Sequence, residues 1–282
     1  EEFQEIERLL AEAREMDDWW DLYHRLVKWQ IELDSQKELG LHETLTEQLR
    51  SANRGFVRFI AKHYREWMGA KPGQRPCLST DLVESRLAPL LQQDEKVLFV
   101  VVDCLRLDQA LALLPAVQKS FQTEVDYHVS VLPTATPFAR NAIFSGCHLA
   151  DIQHEHPNLW KKTVESESSM NQAEPELFGQ LLLKIAGRDL NHSYHKVNVA
   201  REGQRFLSHM KEYGNHSVIA LVVNFVDLLT HHRAESDVLR EMIPDESGYR
   251  KLVETWFASS WLSEVFETAA DMGLTVILTT DH

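Results

Sequence analysis

The sequence has 282 residues, of which 44% are hydrophobic and 26% charged, with a formal net charge of −14. That length and apolar content can bury a large core and suit one smaller and one larger domain. The excess of acid excludes general binding of duplex nucleic acid, which needs clustered Lys and Arg, and no apolar run approaches the roughly 20 residues of a membrane-spanning helix.

The opening residues lack the basic-then-apolar order of a signal peptide, so the expected compartment is the cytoplasm, with no membrane insertion. Cys77, Cys104 and Cys147 are far apart and form no C-x-x-C pair. Neither a disulfide framework nor a thiolate zinc site is expected from them. The chain starts without Met and stops directly after an apolar run, and it reads as a piece of something longer.

Residues 1–68 are expected to form a three-helix bundle. Leu22, Leu26, Trp29 and Leu33 lie on one stripe and Leu45, Leu49, Ala52, Phe56, Ile60 and His63 on another, at helical spacing. Asp17 and Asp18 are candidate caps for the second helix, and His63 reads as a packing residue. The Gly- and Pro-rich stretch from Gly69 to Pro76 breaks the helical period, giving a linker over 69–79.

The larger domain, 80–282, carries apolar runs at 97–102, 217–224 and 274–278, separated by amphipathic helical stretches such as 248–270. Continuous apolar strands alternating with helices indicate an α/β fold, a mostly parallel sheet flanked by helices. The polar segment 158–176 has no periodicity and reads as a loop or lid.

Each apolar run stops at, or just before, an aspartate: Asp103, Asp227 and Asp281. Any one of them could simply cap the next helix. In open α/β sheets, however, ligands bind beyond the carboxyl ends of the strands, where three carboxylates would converge and need a cation or raised pKa values. Asp227 and His231 are four apart, on one face if the segment is helical, and Asp281 and His282 are adjacent. A shift in register would exchange His231 for His232. Asp and His ligands without thiolate suit zinc best.

The nucleophile candidate is Thr136, in the stretch from Pro133 to Gly146. Pro137 and Gly146 mark the two ends of a short helix with Thr136 as its N-cap. The field at a helix start favours both an alkoxide and a bound phosphate. Arg140 and Asn141, with backbone amides at the helix start, are candidate donors to phosphoryl oxygens.

The order Asp103, Thr136, Asp227 with His231, and Asp281 with His282 resembles the metal-and-nucleophile series of the alkaline phosphatase superfamily. More narrowly, the chain resembles PorX-type response regulators with a PglZ domain. That resemblance rests on 20–34 (WDLYHRLVKWQIELD), 51–67 (SANRGFVRFIAKHYREW), 75–91 (RPCLSTDLVESRLAPLL), 102–109 (VDCLRLDQ), 133–146, 224–240 (NFVDLLTHHRAESDVLR) and 279–282.

The resemblance implies an alkaline-phosphatase-like sheet and makes Thr136 the nucleophile. It puts one zinc on Asp103, Thr136, Asp281 and His282 and a second on Asp227 and His231, with a further histidine expected downstream of His282, so that the second site is incomplete in this chain. It also implies a phosphorylatable receiver domain ahead of the first residue, a sensor histidine kinase and type IX secretion components as partners, homodimerisation, and phosphodiesterase activity on cyclic or linear oligonucleotides.

Two other readings stay open. One is another enzyme of the superfamily, a phosphomonoesterase or a sulfatase; Thr136 argues against the sulfatase, which needs an oxidisable Cys or Ser. The other is a non-catalytic, zinc-dependent signalling or dimerisation module that binds proteins through its helical connector.

Overall fold

The computed structural model describes residues 2–36, 39–160 and 170–282. Its centre is one sheet of four strands, β1 (Val97–Val102), β2 (His192–Val197), β3 (Val218–Val223) and β4 (Thr275–Thr279), parallel throughout and ordered β2-β3-β1-β4. In register, Val97 to Val102 lie beside Val218 to Val223 of β3, and Val97 to Val101 beside Thr275 to Thr279 of β4. The three strands with apolar sequences are the expected ones, and the α/β architecture is as read.

Every residue of β1 and β3 is buried, because both faces of the sheet are covered, the condition under which a strand is apolar at every position. Leu98, Val100 and Val102 face one core and Val97, Phe99 and Val101 the other. The first core is closed by α5 (Leu107–Val117), α9 (Ala200–His209), α12 (Glu246–Ser259) and α13 (Trp261–Asp271), through Leu113, Phe206, Val253, Phe257 and Val265. Gly203 of α9 permits this packing, since a Cβ there would lie 2.0 Å from the Trp261 ring.

The second core is closed by α4 (Ala88–Gln92), α6 (Thr136–Ser145) and α8 (Glu174–Ala186), where Phe144 and Phe178 pack on Phe99. Each of these three rings is fully buried, which contributes about 2–3 kcal/mol apiece in apolar transfer.

Ahead of the sheet, α1 (Glu2–Glu12), α2 (Met16–Leu33) and α3 (Leu39–Gly69) pack around Ile6, Trp19, Leu22, Leu26, Leu33 and Leu45. His63 lies among rings, 4.7 Å from Phe59 and 6.1 Å from Trp67 between centroids, as a packing residue would. Leu78 of the linker and Val129 of the larger domain complete this core.

Four local readings change. The N-cap of α2 is Glu15 rather than Asp17 or Asp18; Asp18 instead accepts the Arg14 and Glu15 amides at 2.8 and 2.9 Å from inside the first turn. The stretch 248–270 is two helices, because Ser260 accepts the Leu262 amide at 3.2 Å and caps α13. Strand β2 was not anticipated: it pairs only with β3, five of its six residues are half-buried, and its sequence HSYHKV shows no apolar run. The loop read over 158–176 is helical at 158–160 and from Glu174 onward, and its 161–169 portion lies outside the described residues.

Candidate metal centre and nucleophile

The strand ends are joined before any ligand is considered. Asp103 follows β1 with its amide on Val223 O at 2.9 Å, and Cys104 then takes a left-handed φ of +62°. For a residue with a Cβ that conformation costs on the order of 1–2 kcal/mol. It turns the Cys104 amide onto Asp281 Oδ1 at 3.2 Å, and the Leu105 amide onto Thr280 Oγ1 at 3.1 Å. Ser130 Oγ donates to the Asp281 carbonyl at 2.7 Å.

This arrangement brings Asp103, Thr136, Asp281 and His282 together. Thr136 Oγ1 lies 3.3 Å from Asp103 Oδ1 and 3.2 Å from His282 Nε2. His282 Nε2 is 3.6 Å from Asp103 Oδ1 and 3.8 Å from Asp281 Oδ2. One ligand atom each from Asp103, Asp281 and His282 falls within 4.8 Å of the other two.

Asp281 is fully buried, its Oδ1 accepts the Cys104 and His282 amides, and its Oδ2 has no hydrogen-bond partner among the described residues. A buried carboxylate oxygen without a donor is costly unless it is protonated or meets a cation. Burial, and then the Asp103 charge, push the Asp281 carboxyl up to about 8. Burial followed by the charges of Asp227, Asp103 and Asp281 pushes the Cys104 thiol up to about 11. The cluster thus has excess negative charge and two oxygen donors and one nitrogen donor oriented inward, a set that fits a divalent ion of the zinc type.

Asp227 stands in the first turn of α10 (Phe225–Glu235) and His231 one turn on, with Oδ1 and Nε2 3.4 Å apart. Burial, and then the Asp103 charge, raise the Asp227 carboxyl, while His231 and His282 act to lower it, so this pair shares the field of the first cluster. Of the two adjacent histidines it is His231 that meets Asp227, while His232 bonds the Leu228 carbonyl of its own helix through Nδ1 at 2.6 Å.

Thr136 is the first residue of α6 rather than its N-cap, which is Ala135, because helical backbone begins one residue before Pro137. Pro137 has no N–H, and the Phe138 and Ala139 amides both bond Ala135 O. The amide of Thr136 is therefore the one free donor of this turn among the described residues, fewer than the helix start was expected to offer.

Arg140 and Asn141 are not free donors either. Arg140, 1% exposed, gives Nε and Nη2 to Glu174 at 2.8 and 2.6 Å and Nη1 to Asp103 Oδ2 and Asn224 Oδ1 at 2.8 and 3.0 Å. The Asn141 amide group donates to the Pro137 and Met170 carbonyls at 2.7 and 3.0 Å, and the residue is fully buried. Both hold the site from behind, and the expectation that they face a substrate is corrected.

The residue that sequence reasoning missed is Glu174, fully buried, bonded to Arg140, to Asn171 Nδ2 at 2.8 Å and to Tyr194 Oη. Asn171 in turn donates to the Thr136 carbonyl at 3.3 Å. The only sequence signal was an acid ahead of a proline at a helix start. Lys196 of β2 was also missed. It is half-buried, has no hydrogen-bonded partner among the described residues, and lies within electrostatic reach of Arg140, Glu174 and Asp103.

Two comparisons with known families follow this geometry. Residues 82–282 match the BREX system PglZ alkaline phosphatase-like domain, and residues 1–68 match the PorX response regulator linker domain. No curated protein matches the chain. No helix among the described residues is long and apolar enough to cross a membrane. The chain belongs to the PglZ family of alkaline-phosphatase-like domains and is a PorX-type member of it, with the response-regulator linker ahead of the PglZ domain.

Proposed function

We propose that this chain is the effector portion of a response regulator and hydrolyses phosphodiesters, with cyclic or linear oligonucleotides as substrates and Thr136 as nucleophile. The observation that carries this reading is the convergence of Thr136 Oγ1 with Asp103 and His282 at 3.3 and 3.2 Å, beside a buried Asp281 oxygen that lacks a hydrogen-bond partner among the described residues.

Asp103, Asp281 and His282, with Thr136 Oγ1, would hold one zinc, and Asp227 with His231 would contribute to a second. Bound there, such ions supply Lewis acidity, lowering the pKa of a coordinated hydroxyl and countering charge on the oxygens around phosphorus.

The residues do the remainder. Asp103, whose other oxygen is fixed by Arg140, orients the Thr136 hydroxyl through the oxygen that accepts it. Thr136 Oγ1 attacks phosphorus, the bond to the leaving oxygen breaks, that oxygen departs with the hydroxyl proton, and the phosphoryl group with its remaining ester is carried on Oγ1. Water then attacks the same phosphorus, the bond to Oγ1 breaks, and one proton of that water returns to Thr136. The free Thr136 amide at the start of α6 is placed to donate to an equatorial oxygen.

Dimerisation and coupling to a sensor histidine kinase and type IX secretion belong to the same proposal. They follow from the resemblance to PorX-type response regulators, and the linker match over residues 1–68 supports the response-regulator part alone. A phosphomonoesterase would use the same centre and differs only in how the pocket meets the second ester group.

The test is metal content measured together with hydrolysis of an aryl phosphodiester, an aryl phosphomonoester and a short oligonucleotide, for the protein and for Thr136→Ala. Retained metal with turnover reduced by at least about 10³-fold is expected for loss of a nucleophile. Turnover indifferent to Thr136 would refute the proposal.

A further inference from the structure

A second set of ligand-type side chains converges at the opposite end of α6. Gly146, with φ of +67°, ends that helix. The next residue, Cys147, is held by a bond from its own amide to Ser145 Oγ at 3.0 Å. Helix α7 (Leu149–Glu155) returns past it and ends on Glu155, followed by His156, whose amide bonds Ile152 O at 2.8 Å. Ile152 is fully buried in a small core with Cys147, Leu159, Ala173 and Leu177, which fixes the roll of α7.

The consequence is that Cys147 Sγ, a Glu155 carboxylate oxygen and a His156 ring nitrogen all lie within 4.8 Å of one another. The thiol donates to Glu155 Oε2 at 3.4 Å. A tetrahedral ion with metal–sulfur and metal–oxygen bonds of about 2.3 and 2.1 Å separates those two atoms by about 3.6 Å, so this edge of a coordination tetrahedron is already in place. One thiol, one imidazole and one carboxylate form a borderline-soft donor set, suited to zinc or cobalt and poorly suited to magnesium or calcium. Cysteine spacing could not reveal it, because the co-ligands of Cys147 are a Glu and a His.

We propose that Cys147, Glu155 and His156 bind one zinc-class divalent ion, distinct from the strand-end centre, with the fourth position left to water. The thiol proton is released to solvent as the sulfur–metal bond forms, and the ion takes the place between sulfur and Glu155 that the proton holds without it. The ion staples the end of α7 to the end of α6. The same small core includes Ala173 and Leu177, which flank Glu174, so the staple steadies the helix that holds Arg140 in place.

Cobalt(II) titrated into the chelator-treated protein tests this by absorption, because thiolate bound to cobalt gives a near-ultraviolet charge-transfer band that oxygen and nitrogen ligands do not. The one thiol beside the strand-end centre is Cys104, so Cys104→Ser is the control. The expected result is a band in the unsubstituted protein and in Cys104→Ser, lost in Cys147→Ser and in the more exposed variant His156→Gln, each with one metal fewer per chain. Absence of the band from the unsubstituted protein, or its survival in Cys147→Ser, would overturn the proposal, whatever the hydrolysis assay shows.

Discussion

Arg250 of α12 and Asp34, the residue that ends α2, are 216 positions apart in the chain and meet as an ion pair, Nε to Oδ2 at 2.9 Å. Arg250 also gives Nη1 to Asp108 Oδ2 at 2.8 Å, and Asp108 is held from its other side by Arg106 Nε at 2.9 Å. Arg250 and Asp108 are almost wholly buried. Asp108 lies in the first turn of α5, five residues after Asp103, so the helical linker reaches the segment that positions the strand-end cluster through one charged triad.

Removing the arginine leaves Asp34 without its partner and Asp108 buried with one fewer. Arg250→Gln is expected to lower unfolding stability by about 3 kcal/mol, the lower end of the range for breaking a buried pair. Asp34→Asn should cost less, because Asp34 is the more exposed member. Urea denaturation of both variants gives the comparison. A cost for Arg250→Gln below about 1 kcal/mol, the level of a surface pair, would show that the triad does not join the two parts.

A larger loss is expected behind the nucleophile. Arg140→Met would leave Asp103 and Glu174 facing each other across a dry space with no counterion, at a cost of about 3–5 kcal/mol. Arg140→Lys keeps the charge but cannot reproduce the fork that spans Glu174, Asp103 and Asn224, and should fall between the two in a thermal melt. If Arg140→Met were as stable as the parent, the guanidinium would be a free donor after all.

Metal removal should make stability depend on pH in an unusual direction. In the metal-free protein the Asp281 carboxyl is raised from 3.8 to about 8, so between those values the folded state holds a proton that the unfolded chain has lost. Stability from this group therefore falls as pH rises through that window. His24, His128, His148 and His195 are shifted the other way by desolvation, and stability from them rises with pH up to 6.5. Above pH 6.5 the Asp281 effect stands apart. Chelator-treated protein should melt lower at pH 8 than at pH 6.5, and metal-loaded protein should not, since a bound cation replaces the proton. Equal melting of the stripped protein at the two pH values would remove the basis for a raised Asp281.

Much of this architecture was legible because β1 and β3 are covered on both faces and so are apolar at every position, and because each of the three apolar runs carries its aspartate at its carboxyl end. Asp103, Asp227 and Asp281 could be singled out for that reason. Strand β2 was hidden by its edge position, which leaves His192, Ser193 and Lys196 half-exposed and polar. The part played by Arg140 was hidden for a different reason. Its burial depends on Glu174, 34 positions away, in a segment with no periodicity to reveal which side of α8 turns inward. Thr136 was placed one residue out because proline fits either of the first two helical positions.

The adjacent histidines of α10 offer an internally controlled test of the second half of the centre. His231 Nε2 lies 3.4 Å from Asp227 Oδ1, while His232 is turned onto the Leu228 carbonyl. Both are exposed, so alanine at either position should leave folding nearly unchanged. If Asp227 and His231 hold a metal together, His231→Ala should weaken binding of that ion by more than about tenfold, since even residues that only orient ligands contribute that much. Turnover should drop with it, and His232→Ala should match the parent in both measurements. Equal behaviour of the two variants in a zinc competition assay would mean that the pair is an ordinary helix-surface contact, leaving the strand-end cluster of Asp103, Asp281 and His282 as a single-metal centre.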